Sequence, residues 1–92
     1  MTLDQNQLDK LCTLGETFFS VQQCALVLEV DQLELKKEIK LQTSAAHKAY
    51  YKGLLTATLK LRQSIMDLAM RGSSPAQTQM LKILEQTINN NG

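Results

Sequence analysis

The sequence has no tryptophan, one proline and one histidine, and each shortage removes an explanation. With His47 as its only histidine, the chain has neither a histidine-rich metal site nor a histidine pair. A Cys–His nucleophile would need Cys12 or Cys24 beside His47, and nothing in the spacing suggests it. Those two cysteines stand twelve apart with no CxxC spacing. They read as free, buried thiols on apolar helix faces in a reducing compartment. There is no glycine-rich phosphate loop and no run of carboxylates at metal-ligand spacing. The longest unbroken apolar run, Cys24 to Leu28, is far too short to span a bilayer. The first residues are polar, without a basic-then-apolar signal peptide. The expectation is a soluble, cytoplasmic protein that is not an enzyme, has no cofactor or metal and has no membrane partner.

Ninety-two residues make one domain with a modest core. Helical chains of this size often oligomerise to bury more surface. The scarcity of proline and tryptophan fits a helical protein, and 21% charged residues argue against disorder over most of the chain. A net charge of +1 conceals a separation by sign. Residues 1–35 carry one lysine against six acids; residues 36–71 carry eight bases against two acids. Such a basic segment can bind a polyanion, or it can pair with the acidic half of a neighbouring subunit.

The periodicity is helical throughout, with no strand-like alternation and no internal repeat. A first helix is expected over Leu3–Leu14, capped by Thr2, lined by Leu8, Leu11 and Cys12, and ended by Gly15. Phe18 and Phe19 in the following link read as core, one of them stapling the next helix start. Ser20 caps a helix carrying Val21, Cys24, Ala25 and Leu28 at i, i+3, i+4 and i+7. Glu29-Val30 interrupts the period. Asp31 caps a third helix, in which Leu35 and Ile39 point inward. Ser44 or Thr43 caps a long helical run over Ala45–Arg71, where Gly53 either bends the helix or restarts it. His47 reads as exposed near that start. Tyr50 and Tyr51, interleaved with Lys48 and Lys52, read either as rings packed between helices or as contacts to a nucleic-acid backbone. Gly72 stops the run. Ser73 or Ser74 caps a last helix, with Pro75 in its first turn. Two apolar stripes on the long helix (Leu54, Leu61, Ile65, Leu68 and Leu55, Leu59, Met66, Ala69) exceed what one small domain needs, so another subunit is expected to cover one of them.

Residues Phe19–Lys40 resemble a helix-turn-helix, the module that sets its second helix in the DNA major groove. Ala25 is small where the helices would cross, and Val30 is apolar inside the turn. The turn commonly holds a glycine where this chain has Glu29, so Glu29 is strained or the turn takes another geometry. A plain helical corner fits the same pattern. Gln32, Lys36, Lys37 and Lys40 are left on the outer surface, where Gln can read adenine and Lys can reach guanine or phosphate. Three acids on the same short helix make a solvated, salt-bridged face an equal reading. The segment Leu61–Gln86 is similar to a run in the small terminase subunits of tailed bacteriophages. The likeness rests on Ala69, Gly72, Ser74-Pro75-Ala76 and Met80-Leu81.

That resemblance implies an all-α chain. An N-terminal helix-turn-helix over residues 1–43 is followed by a long/short antiparallel helical hairpin over 44–88 and a disordered tail, 89–92. It implies a homo-oligomer, in the family a ring, that recognises viral double-stranded DNA for genome packaging in the host cytoplasm. There it hands the DNA to a large motor subunit. Gln32, Lys36, Lys37 and Lys40 would face the DNA, with Lys48 and Lys52 on phosphates. Leu54, Leu61, Ile65, Leu68, Met80 and Leu84 would hold the oligomer together. No clear C-terminal segment to dock on the motor is present. The alternatives are a helix-turn-helix transcriptional regulator, which would be a dimer on a palindrome, and a helical protein–protein interaction module that binds no DNA.

Overall fold

A computed structural model describes residues 1–91. It contains five helices and, among the described residues, no strand: α1 (Gln5–Glu16), α2 (Val21–Leu28), α3 (Gln32–Lys40), α4 (Ala45–Met70) and α5 (Ser74–Asn91). No helix among them is long and apolar enough to cross a membrane. The chain divides into two compact units, Met1–Thr58 and the remainder from Leu59. The boundary between these units falls inside α4. The first part of α4 shares its core with α1, α2 and α3: Leu11, Leu14, Cys24, Ala25, Leu28, Leu35, Ile39, Ala46 and Tyr50 form one buried cluster.

Each helix start has a side-chain cap that satisfies a free backbone N–H. Asp4, not Thr2, caps α1 and forms a reciprocal capping box with Gln7; Ser20 and Gln23 do the same for α2. The Asp31 carboxylate accepts from the Glu34 amide at 3.0 Å at the start of α3. Ser44 Oγ accepts from the His47 amide at 3.0 Å at the start of α4. Ser73 caps α5, and Pro75 occupies its first turn.

Of the helix ends, that of α1 departs from expectation. α1 continues through Gly15 to Glu16. Its terminal carbonyls are closed by Phe18, at φ 62°, whose amide donates to Gly15 O at 3.1 Å, and by Phe19, whose amide donates to Leu14 O at 3.0 Å. Glu29 closes α2 in the left-handed conformation, at φ 57° and ψ 44°, and the Val30 amide donates to Ala25 O at 3.1 Å. Gly72 closes α4 at φ 99°. All three ends follow the same left-handed pattern, and only the last has the residue type that adopts it freely.

Gly15 and Gly53 do something else. Both are buried. A Cβ on Gly15 would overlap the Tyr50 carbonyl and lie 3.1 Å from the Leu54 nitrogen; a Cβ on Gly53 would overlap the Cys12 carbonyl and lie 3.0 Å from the Glu16 nitrogen. The backbones of α1 and α4 meet where each lacks a side chain. α4 therefore does not restart at Gly53 and runs unbroken over 26 residues.

Phe18 and Phe19 are not core residues: they are 54% and 37% exposed. Among the described residues from Leu59 onward only Ala76 is buried. Ile65, Ala69, Met80 and Ile83 are half-buried, and Gln77 Nε2 donates to Ala69 O at 3.0 Å. Asn89, Asn90 and Asn91, expected in a disordered tail, are helical; Gly92 of that tail lies outside the described residues.

Two substitutions test these assignments. Gly53→Ala, which in an open helix stabilises by about 1 kcal/mol, is expected here to destabilise by about 1–3 kcal/mol through overpacking against backbone. A raised Tm would contradict the close crossing. Glu29→Gly relieves a left-handed residue worth about 1 kcal/mol, so Tm is expected to rise by about 4–8 °C; an unchanged or lower Tm in thermal unfolding would contradict it.

Candidate nucleic-acid interface

α3 is anchored by Leu35 and Ile39, which are 0% and 3% exposed. At about 100° per residue, its remaining side chains sort by charge. Gln32, Lys36, Lys40, Leu33 and Lys37 occupy one continuous arc of roughly 140°, and all five are exposed. Glu34 and Glu38 fall on the edge between Lys37 and the buried pair. The two acids of α3 are thus on a different edge of the helix from most of its three lysines, and the third nearby acid, Asp31, is spent as the N-cap.

The spacing also leaves the lysines without local partners. Salt bridges along a helix need three- or four-residue spacing. On α3, Glu34 and Lys37 are the one opposite-charge pair that meets it, whereas Lys36–Lys40 and Glu34–Glu38 repeat the same sign. The only ion pair within 4 Å among the described residues joins the Met1 amino group to Glu38, at 3.9 Å. None of the three α3 lysines is in an ion pair within 4 Å among the described residues.

α4 holds the end of α3 in place. Ser44 Oγ donates to the Glu38 carbonyl at 2.6 Å. His47 Nδ1 contacts the Ile39 carbonyl; a carbonyl only accepts, so Nδ1 carries the proton in this contact. His47 is consequently half-buried, not exposed, and its ring stacks on Tyr51 with centroids 4.5 Å apart. One turn further on, the Tyr50 hydroxyl donates to the Phe19 carbonyl at 2.7 Å, fixing the start of α2. Burial raises the ionisation range of this hydroxyl, which keeps the donated proton in place. Tyr50 is therefore a buried strut, while Tyr51 remains 40% exposed. Burial likewise pushes the Cys24 thiol up, away from the reactive thiolate; Cys12 is half-buried and also free.

The other expected site residues divide. Lys48 and Lys52 are exposed, but they line a groove of about 280 Å³ with Gln5, Leu8, Asp9 and Cys12. The adjoining groove shares Leu8 and Ala45 and is lined by Glu38. These two lysines thus lie beside α1.

Of the expected oligomer contacts, Leu54 is half-buried against the core of the first unit. Ile65 and Met80 are half-buried. Leu61, Leu68 and Leu84 are 51–53% exposed. An apolar groove of about 480 Å³ runs between Met66, Ala69, Met70, Gln77, Met80, Leu81 and Leu84. Leu33, 68% exposed within the basic arc, was not singled out from sequence. Its signal was its phase, one residue after Gln32 and three before Lys36. Among the described residues no group of three or more His, Cys, Asp or Glu is placed to hold a metal ion. No protein-family model matches this chain, and no curated protein or solved structure matches it either.

Proposed function

We propose that this chain is a non-catalytic, double-stranded-DNA-binding subunit of a homo-oligomer that recognises viral DNA for packaging and passes it to a motor subunit. α2 and α3 act as a helix-turn-helix, with α3 entering the major groove. The observation that carries this reading is the basic arc of α3. Three exposed lysines share it with Gln32, they have no ion-pair partner within 4 Å among the described residues, and like charges stand at helical spacing. Clustered like charges on one helix cost a few tenths of a kcal/mol per pair. Phosphates would relieve that repulsion, and release of their counterions would drive binding. The resemblance of Leu61–Gln86 to small terminase subunits supplies the packaging role.

The exposed apolar side chains from Leu59 to Ile88 support a hairpin that self-associates. They also favour a second reading, a helical assembly protein without DNA. Gel shifts over a salt series separate the two. Wild-type binding is expected to fall steeply with salt, and Lys36→Ala/Lys37→Ala/Lys40→Ala to lose about one slope unit per phosphate contact removed. Lys48→Ala/Lys52→Ala is expected to keep most of the affinity. Equal binding by wild type and the triple variant, or no shift at all, would leave the assembly reading. Native mass is expected to be a multiple of 10.3 kDa that survives high salt, because apolar contacts are not screened.

A further inference from the structure

We infer that Leu33 is a specificity-determining residue that packs on a thymine methyl group, so that the preferred DNA site carries an A·T pair where α3 begins. This rests on the DNA-binding reading above. Leu33 is the second residue of α3 and is 68% exposed. It belongs to the same arc as Gln32, Lys36, Lys37 and Lys40, so any duplex that the lysines hold must also meet Leu33. A recognition helix brings its N-terminal residues to the base edges, and here those residues are Gln32 and Leu33.

Their chemistry is complementary to one kind of base pair. Of the four bases only thymine offers the major groove an apolar group, its C5 methyl, and adenine offers the paired N6 donor and N7 acceptor that a glutamine amide matches. The Asp31 cap, at 3.0 Å from the Glu34 amide, fixes the first turn and hence the relative positions of the two side chains. Lys36, Lys37 and Lys40 supply charge, and lysine to phosphate carries no sequence information. Discrimination by α3 therefore falls chiefly on its first two residues.

The test removes the methyl group and nothing else. Wild type first selects its preferred duplex from a short randomised pool, and that duplex is then made with deoxyuridine in place of thymidine. Burial of one methyl group is worth about a fourfold change in affinity. Wild type is expected to bind the thymidine duplex about fourfold more tightly than the deoxyuridine duplex. Leu33→Ser is expected to bind both alike, at about the wild type's affinity for the deoxyuridine duplex. Because Leu33 is exposed, the variant keeps its core, and an unchanged helical circular dichroism spectrum verifies this. Equal binding of the two duplexes by wild type, or discrimination retained by Leu33→Ser, would overturn the role of Leu33 while leaving DNA binding intact. Absence of any wild-type shift would overturn both.

Discussion

The contact on which the first unit depends is the approach of two backbones. Gly15 faces the Tyr50 carbonyl and Gly53 faces the Cys12 carbonyl, with no room for a Cβ at either place. That proximity sets α4 on α1. Once α4 is there, its first turns bring Ser44, His47 and Tyr50 to three carbonyls on other elements: Glu38 and Ile39 at the end of α3, and Phe19 just before α2. The first two contacts tie the last turn of α3 to α4, and the third ties down the link before α2. Buried Leu35 and Ile39 then fix which way α3 faces. The outward arc of Gln32, Leu33, Lys36, Lys37 and Lys40 follows from that rotation.

Much of this was legible in sequence. The all-helical class, the caps Ser20, Asp31 and Ser44, the inward turn of Leu35 and Ile39, and the stop at Gly72 all come from short-range chemistry that a local pattern records. Strain at Glu29 was legible too, because a left-handed position without glycine has few solutions. What failed was the reading of glycine as a single signal. Glycine's tolerance of unusual backbone angles suggests a helix end at Gly15 and a bend or restart at Gly53. At both positions the property in use is the missing Cβ, and only the partner helix, far away in sequence, reveals that. The left-handed end of α1 fell instead on Phe18, which no propensity favours. Phe19 was read as core because it is large and apolar, yet its carbonyl accepts from Tyr50 while its ring is partly exposed.

At the candidate site, the basic residues of α3 are visible in the sequence, whereas their separation from its acids shows only in helical phase. Counting Asp31, Glu34 and Glu38 against three lysines suggested neutralisation; helical phase puts them on different edges. The resemblance to small terminase subunits implies Lys48 and Lys52 on phosphates, and both line a groove beside α1. The side of α4 that they occupy depends on how α1 packs, which periodicity alone does not fix. The apolar excess after Leu59 was legible as a surplus, and Met66, Met70, Leu81 and Leu84 border the groove it leaves. Leu54, assigned to that surplus, belongs to the first core because α4 serves both units.

The basic arc of α3 as the DNA-contacting surface is most directly tested by lysine footprinting. The protein is acetylated with and without duplex DNA, and the modified lysines are quantified by mass spectrometry. Strong protection of Lys36, Lys37 and Lys40 is expected, with Lys10 and Lys82 reacting as in the free protein and Lys48 and Lys52 little changed. Full reactivity of the three α3 lysines in a saturated complex would contradict the assignment.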